Sequence, residues 1–240
     1  MIQNSKILVA HRGAPYFFQE NTIDSFAKAV TLGADMVEFD IRRTADGVLV
    51  AHHDPFILFN NKEYLLSEIS FDKLRSISSE IGFQVPDIEQ VIKALSGKTG
   101  LVIEFKEKNC EREVLDIVYK NTDPGKCIFT SFQPEILLSI KNINSELQTG
   151  FLFETLSNTV TEITFDILCP RESLLTSNHD FFSSQKRGGK SIAVWTVDDS
   201  MALKMFLDDP VVDIIITNKI DRALQLRNIR KEIRCDGENT

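Results

Sequence analysis

The chain has 240 residues, of which 42% are apolar and 26% are charged, and its net charge is −8. This length suits one large domain or two small ones, and a chain of this size can enclose a single hydrophobic core. The acidic balance argues against a nucleic-acid-binding surface and disfavours simple electrostatic docking on an anionic membrane. A local positive pocket for a phosphate group remains compatible with it.

The start of the chain and its cysteines indicate a cellular setting. A short polar run, Met1–Lys6, precedes the first apolar stretch and leaves no room for a signal peptide. No apolar stretch is long enough to span a bilayer. The four cysteines are widely spaced and form no Cys-x-x-Cys pair, which predicts reduced thiols without a disulfide framework or a zinc site. We expect a cytoplasmic protein with no integral membrane segment, and its oligomeric state is left open.

Short apolar runs alternate with helix-forming segments along the chain. The predicted strands are Ile7–Ala10, Asp35–Ile41, Leu101–Lys106, Lys126–Thr130, Gln148–Phe153, Phe165–Cys169, Ser191–Thr196 and Val211–Thr217. The predicted helices are Thr22–Thr31, Asp87–Leu95, Glu111–Lys120, Pro134–Lys141, Phe153–Thr159, Ser173–Lys186, Met201–Leu207 and Lys219–Lys231. Continuous apolar runs are typical of parallel strands buried on both faces. The alternation predicts an α/β fold, a (β/α)8 TIM barrel, as one domain over residues 1–240 with a frayed end after about residue 230.

One segment, residues 47–85, interrupts this alternation. It contains a hairpin-like strand, Val48–Ala51, and one strong helix signal, Ser70–Ile77. A connection of this length within a barrel is usually functional. We expect a short excursion after the second barrel strand and no inserted domain.

Three polar runs follow strand-like stretches in the first quarter of the chain: His11-Arg12-Gly13, Glu38-Phe39-Asp40 and His52-His53-Asp54. Strand ends gather side chains at one rim of a sheet, and this mixture of groups can bind a divalent cation, hold a phosphate and move protons. Side chains alternate along a strand, so Glu38 and Asp40 point to the same face. Two carboxylates about 7 Å apart repel each other unless a cation lies between them. For Glu-x-Asp alone, a solvated edge strand is the alternative.

The order and spacing of these runs resemble the glycerophosphodiester phosphodiesterase family, whose members are phospholipase-C-like phosphodiesterases on a TIM barrel. Further matching runs are Glu20–Thr22, Gly33–Asp35, Thr44–Gly47, Val85-Pro86, Ile103–Lys106, Ser131-Phe132, Val194–Val197 and Ile216–Asn218. The resemblance covers the chain from about residue 7 to residue 225. No single tripeptide is specific, but the ordered set is strong.

A third carboxylate, Glu104, follows the third barrel strand. Together with Glu38 and Asp40 it forms an all-oxygen set, which suits Mg²⁺ or Ca²⁺ better than zinc. In the resembled family these positions are the metal ligands, so the resemblance implies one divalent cation at Glu38, Asp40 and Glu104. A salt bridge from Glu104 to Lys106 is the alternative, and both can hold together.

Two histidines are the candidates for acid–base catalysis, because histidine titrates near neutral pH. The resemblance assigns this role to His11 and to the histidine directly before Asp54, which is His53. His52 is expected to face the opposite way and to give packing or polar support. The sequence does not assign base and acid to the pair.

The remaining candidates concern the substrate. Arg12 presents a planar fork suited to phosphate oxygens and Lys106 a point charge, although either can instead neutralise the acids. The resemblance places Trp195 beside the glycerol-like group of the substrate, and Phe132 is a second candidate there. Core packing is the alternative for Trp195. Glu20, in a rim loop, is a candidate contact for the substrate or the metal shell.

The chain departs from the family pattern in two rim loops. Residues 55–60 are apolar and lack the arginine that many members carry, and residues 217–220 lack the usual aspartate and proline. These departures leave the head group of the substrate open. Nearby, Asn21 or Thr22 is expected to cap the first helix, and Asp198 the helix after the seventh barrel strand.

Taken together, the sequence predicts a metal-dependent enzyme that cleaves a glycerophosphodiester to sn-glycerol 3-phosphate and an alcohol. The attacking group is either water or a neighbouring hydroxyl of the substrate. The alternatives are a related phosphodiesterase acting on lysophospholipids or cyclic phosphodiesters, and a catalytically weak barrel that binds phosphorylated ligands.

Overall fold

The computed structural model describes residues 6–157, 160 and 165–237, and their side chains as far as residue 230. The strands are β1 (Ile7–Ala10), β2 (Met36–Arg43), β3 (Leu49–Ala51), β4 (Phe56–Phe59), β5 (Lys62–Leu65), β6 (Gly100–Phe105), β7 (Cys127–Ser131), β8 (Gln148–Phe153), β9 (Ile167–Pro170), β10 (Ser191–Val194) and β11 (Ile214–Thr217). The helices are α1 (Ile23–Leu32), α2 (Phe71–Ile81), α3 (Ile88–Leu95), α4 (Glu111–Asn121), α5 (Pro134–Ile143), α6 (Glu172–Ser177), α7 (His179–Arg187), α8 (Ser200–Asp208) and α9 (Ile220–Gly237).

Eight of these strands form a closed parallel barrel. Each pairs with the next in the order β1, β2, β6, β7, β8, β9, β10 and β11, and β11 pairs with β1 to close the ring. Among the described residues, helices separate every successive pair of barrel strands except β8 and β9, and a last helix follows β11, which is the (β/α)8 arrangement. The predicted fold class is confirmed.

The excursion after β2 contains more secondary structure than predicted. β3 runs antiparallel to the end of β2, with Ile41 opposite Ala51, and β4 and β5 form a separate hairpin. Helix α2 follows and continues to Ile81, beyond its predicted end. A small apolar cluster under this hairpin includes Val50, Ile57 and Leu74, so the excursion packs on the barrel edge through its own buried side chains.

Several helix predictions need correction. The segment predicted as one helix over 173–186 is two helices, α6 and α7, separated at Asn178, whose backbone leaves the helical conformation. In the predicted helix Phe153–Thr159, Phe153 ends β8 and residues 154–157 form no helix, while residues 158 and 159 lie outside the described residues. The last helix, α9, continues to Gly237 rather than ending near Lys231.

Strand alternation divides the core into two layers. On β2, Val37, Phe39 and Ile41 face the surrounding helices in the larger apolar cluster. Met36 faces the interior of the barrel, where a smaller cluster also contains Val9 and Ile216. The same alternation turns the acids of β2 and β6 toward the interior, so the apolar interior forms a floor beneath them.

The structure adds two observations on chemistry and location. Cys110, Cys127 and Cys169 are buried free thiols, and burial raises the pKa of Cys110 and Cys127 to about 12. Among the described helices, none is both long and apolar enough to cross a bilayer.

Candidate active site

The carboxyl ends of the barrel strands surround a cavity of about 230 Å³. The side chains that line it come from strand ends around the barrel and from the turn after β3: His11, Arg12, Glu38, His53, Val102, Glu104, Lys106, Thr130, Phe132, Leu152, Glu154, Trp195, Thr196 and Ile216. This end of the barrel is where enzymes of this fold carry their active sites. Two predicted site residues, Asp40 and Glu20, are not in the lining but contact residues that are.

Three buried carboxylates form the acidic centre of the site. Glu38, Asp40 and Glu104 each offer an oxygen within 4.8 Å of the others. Burial and the two neighbouring carboxylates raise the pKa of Glu38 well above its ordinary range, and burial and Asp40 raise the pKa of Glu104 to about 7. Burial alone would raise the pKa of Asp40 too, but Lys106 and Arg12 outweigh it and hold that pKa at about 2. The three buried carboxylates therefore carry more negative charge than the neighbouring Lys106 and Arg12 offset, and the raised pKa values of Glu38 and Glu104 reflect this.

The geometry of these acids fits a hard divalent cation. Carboxylate oxygens bind Ca²⁺ at about 2.4 Å, so one ion can bridge oxygens up to about 4.8 Å apart. Glu38 Oε1 is buried and has no hydrogen-bond partner among the described residues, and an unsatisfied buried oxygen is costly. A cation at this point would satisfy it and lower the pKa values of Glu38 and Glu104.

Lys106 contacts two of the three carboxylates. Its Nζ lies 3.0 Å from Asp40 Oδ1 and also pairs with Glu104. The salt bridge considered as an alternative for Glu104 is thus present, alongside a geometry that suits a metal ion. Because Lys106 also lines the cavity, its charge is available to a bound anion.

Arg12 connects the acids to the rim. Its backbone N–H donates to Glu38 Oε2 at 2.8 Å, its Nε lies 3.2 Å from Asp40 Oδ2, and its Nη1 donates to Glu20 Oε1 at 2.9 Å. The backbone of Arg12 has a φ of 55°, and Gly13 follows with a φ of 89°. A side chain at Gly13 would place its Cβ 2.5 Å from Ser25 Oγ, so this tight turn needs glycine. The structure places Glu20 against Arg12 rather than in the cavity.

Asn21 fixes Asp40 through two hydrogen bonds, a role that sequence reasoning missed. Its Nδ2 donates to Asp40 Oδ2 at 2.8 Å, and its Oδ1 accepts from the Asp40 backbone N–H at 3.3 Å. Of the two residues expected to cap α1, Thr22 does so, and its Oγ1 accepts from the Ser25 backbone N–H. The one hint in the sequence was the asparagine at position 21, directly after Glu20. Asparagine tolerates the left-handed φ of 55° found at this position.

His11 is held in one tautomer by a chain of hydrogen bonds. Asp198 can only accept hydrogen bonds, and it receives the Asn218 side-chain N–H at 2.7 Å and the Asn218 backbone N–H at 2.8 Å. The side-chain oxygen of Asn218 therefore faces His11 Nδ1, at 2.8 Å, and accepts a hydrogen bond from the Nδ1–H group. The unprotonated nitrogen, Nε2, lies 3.9 Å from Glu38 Oε2. Burial and the charge of Arg12 lower the pKa of His11 to about 4.

Sequence analysis did not identify Asn218 and Asp198 as partners of His11. Asp198 was expected to cap the helix after the seventh barrel strand, but Asp199 does so, accepting from the backbone N–H groups of Met201 and Ala202. Asp198 instead binds the end of β11. The only hint in the sequence was that residue 218 departs from the family pattern in this rim loop.

His53 lies on the turn that follows β3. Its Nδ1 is 2.8 Å from Asp54 Oδ1, and its carbonyl accepts from Arg42 Nε at 2.7 Å. The neighbouring His52 does not line the cavity, and its Nδ1 bonds the backbone carbonyl of Asp54 at 2.9 Å. The structure thus brings His53, and not His52, into the cavity with His11.

An aromatic pair also lines the cavity. The rings of Phe132 and Trp195 meet edge to face with centroids 5.3 Å apart. Trp195 is fixed by its Nε1–H, which donates to the Cys169 carbonyl at 2.7 Å. Both rings line the cavity, and Lys106 Nζ lies 5.8 Å from the centre of the Phe132 ring, so an aromatic side of the cavity adjoins its charged groups.

Comparisons with known proteins identify the family of this chain. The model of the glycerophosphoryl diester phosphodiesterase family matches residues 11–222. A glycerophosphodiester phosphodiesterase of Caldanaerobacter subterraneus subsp. tengcongensis is 27% identical over 162 residues, covering 62% of this chain and 67% of that protein.

Solved structures share the fold over most of the chain. A glycerophosphodiester phosphodiesterase from Parabacteroides distasonis superposes with a TM-score of 0.83 at 24% identity, covering 95% of this chain and 99% of that one. An Oleispira antarctica phosphodiesterase, solved in complex with the product sn-glycerol-3-phosphate, has a TM-score of 0.81 at 20% identity, covering 92% and 96%. With the family model matched from the first histidine of the site into the last helix, the chain belongs to the glycerophosphoryl diester phosphodiesterase family, a family of enzymes.

Proposed function

We propose that this protein hydrolyses glycerophosphodiesters to sn-glycerol 3-phosphate and an alcohol, using one divalent cation, Mg²⁺ or Ca²⁺. The observation that carries the proposal is the shared cavity of His11, His53 and the carboxylate cluster. Two proton carriers, two cations and a metal-suited acid cluster around one cavity match the needs of phosphodiester cleavage. The family membership and the product named for the Oleispira antarctica relative support the choice of substrate.

Glu38, Asp40 and Glu104 would hold the cation. When bound, it neutralises part of the phosphate charge and stabilises the charge that builds up during transfer. Arg12 and Lys106 face the same cavity and would bind the remaining phosphate oxygens. Because both side chains already contact Asp40, their positions are fixed before the substrate arrives.

The two histidines then divide the proton transfers. The free Nε2 of His11 accepts the proton of the attacking hydroxyl, from water or from the neighbouring hydroxyl of the glycerol group. A new P–O bond forms as the bond to the head-group oxygen breaks, and His53 gives its proton to that oxygen. If the glycerol hydroxyl attacks, a cyclic phosphate forms and water opens it in a second step.

The aromatic side of the cavity would hold the carbon skeleton of the substrate. Trp195 and Phe132 present apolar surfaces at right angles to each other, which suits the carbon face of a glycerol group while its phosphate points toward Arg12. Glu20 acts indirectly in this scheme, by fixing Arg12.

The test is hydrolysis of a substrate panel by the metal-loaded protein. The panel contains glycerophosphocholine, glycerophosphoethanolamine, glycerophosphoglycerol and lysophosphatidylcholine, each with Mg²⁺, Ca²⁺ or EDTA. We expect release of sn-glycerol 3-phosphate from the first three, loss of turnover with EDTA, and recovery when metal is restored.

A matched pair of variants completes the test. His53→Ala should lose turnover about 10²–10⁴-fold, as expected for loss of a general acid, whereas His52→Ala, which alters the neighbouring histidine outside the cavity, should stay close to wild type. Full activity in EDTA or in His53→Ala would overturn the mechanism. If only the lysolipid is cleaved, the substrate class is lysophospholipids and the proposed one is wrong. If no ester is cleaved, the protein is a binding protein and the proposed activity is wrong.

A further inference from the structure

The face of the barrel that carries the cavity also carries exposed apolar side chains. Three of them are consecutive aromatic residues in the loop after β1: Tyr16 is 64% exposed, and Phe17 and Phe18 are each 46% exposed. Leu58 in the β4–β5 hairpin, Leu156 after β8 and Met201 at the start of α8 are also exposed. All lie in or beside connections at the carboxyl ends of the strands, and exposed apolar groups on one face are a common mark of an interaction surface.

The aromatic loop, residues 16–18, is firmly held. The backbone N–H groups of Phe17 and Phe18 both donate to the Ala14 carbonyl, at 2.9 and 3.2 Å. The Ala14 backbone N–H donates to Ser25 Oγ at 2.8 Å. Past the loop, Glu20 is tied to Arg12. The aromatic rings are therefore presented outward by an ordered turn.

Two lysines accompany these rings. Lys28 Nζ lies 4.6 Å from the centre of the Phe17 ring, and Lys219 Nζ lies 5.6 Å from the centre of the Tyr16 ring. Neither lysine has a carboxylate within 4.0 Å among the residues that the structure describes. An aromatic ring next to a free ammonium group is suited to the phospholipid interface, where the ring enters the headgroup layer and the lysine binds phosphate.

We propose that this face of the barrel docks on a phospholipid bilayer, with the aromatic loop entering the headgroup layer and Lys28 and Lys219 binding lipid phosphates. The proposal is independent of which ester the site cleaves. The apolar residues are spread over several loops around the cavity mouth, which fits a broad, deformable surface better than a single binding groove. In this docked orientation, the mouth of the cavity faces the membrane.

The net charge of −8 sets the expected mode of binding. Charges farther away than a Debye length of about 8 Å at physiological salt are largely screened, so most of the net negative charge does not act on the loop and its two lysines. Binding should therefore depend first on the aromatic side chains and only secondarily on anionic lipid. Burial of apolar surface, with a modest electrostatic contribution, is a known mode of interfacial attachment.

The experiment is co-sedimentation of the full chain with vesicles of phosphatidylcholine, with and without phosphatidylglycerol. The variant Tyr16→Ser/Phe17→Ser/Phe18→Ser should lower the partition coefficient at least about tenfold, in line with the loss of buried apolar surface. The matched control Leu138→Ser/Met205→Ser/Ile229→Ser removes three exposed apolar side chains from helices α5, α8 and α9 and should bind like wild type.

A second variant keeps the proposal falsifiable. Lys28→Glu/Lys219→Glu should lose only the increment due to phosphatidylglycerol. The proposal is overturned if the wild type stays in the supernatant with both vesicle compositions, or if the aromatic variant binds like the wild type. It is also overturned if the wild type forms dimers that the aromatic variant abolishes without any vesicle binding, since the face would then join two copies. Unchanged turnover of soluble glycerophosphocholine by the aromatic variant shows that it is folded, and failure of all turnover would concern the proposed function alone.

Discussion

The two histidines of the cavity lie in contrasting regions of the molecule. The His11 side chain is 14% exposed and sits at the seam where β11 closes against β1, whereas the His53 side chain is 35% exposed and sits on the turn after β3. His11 Nδ1 faces a neutral amide oxygen and His53 Nδ1 faces a carboxylate. The barrel thus fixes one imidazole within its framework and leaves the other on its edge.

Under the proposed mechanism, this difference would prepare the two histidines for opposite tasks. An amide oxygen fixes a tautomer without adding charge, so it suits a neutral base whose other nitrogen must stay free. A carboxylate also complements the charge that an imidazolium carries, so it suits a proton donor. The low pKa of His11, due first to burial and then to Arg12, agrees with the first task.

The largest predicted effect is that variants of the two histidines respond differently to the leaving group of the substrate. His11→Ala should lower kcat about 10²–10⁴-fold for an alkyl ester and for an activated aryl ester alike, because both need the base. His53→Ala should show that loss only with the alkyl ester, since an aryl oxide leaves without protonation. Steady-state kinetics with glycerophosphocholine and a glycerophosphate nitrophenyl ester measure this contrast. The reverse pattern would exchange the roles, and equal losses on both esters would refute the division of labour.

An intermediate effect is predicted for the partners of His11. Asn218→Ala and Asp198→Asn should each lower kcat roughly tenfold to a hundredfold with KM little changed, because the Nδ1–H tautomer is no longer enforced and part of the population presents a protonated Nε2. Nitrogen NMR of the His11 ring in the same variants should show both tautomers. A surface asparagine, Asn144, which donates to the Tyr119 hydroxyl, supplies the control Asn144→Ala. An increase in KM without loss of kcat would assign Asn218 to substrate binding instead.

The contrast also shows which parts of the site could be predicted from sequence. Alternation along a strand depends on neighbouring residues only, so it placed Glu38 and Asp40 on the inner face and Phe39 on the outer one. Continuous apolar runs likewise identified all eight strands of the barrel. Their ends shifted by a few residues, as for β10, which ends at Val194, because the last pairings depend on the neighbouring strand.

Partners that meet only after the ring closes could not be predicted. His11 and Asn218 are 207 positions apart, and their contact exists because β1 pairs with β11. The contact of Asn21 with Asp40 depends on a left-handed turn, for which asparagine is permissive but not diagnostic. The break between α6 and α7 at Asn178 goes with the burial of Phe182 of α7 in the main core, a tertiary contact that local sequence does not show.

The smallest predicted effect concerns Asp54, the partner of His53. Its side chain is 55% exposed, and pairs that are open to water contribute little because solvent screens them. Asp54→Asn should therefore lower kcat only about threefold to tenfold for the alkyl ester and leave the aryl ester unchanged, well below the loss in Asn218→Ala. The measurement is the same pair of esters. A loss as large as that of His53→Ala would show that substrate binding orders the turn after β3 and excludes water from it. The contrast between the less exposed His11 and the more exposed His53 would then hold for the free protein only.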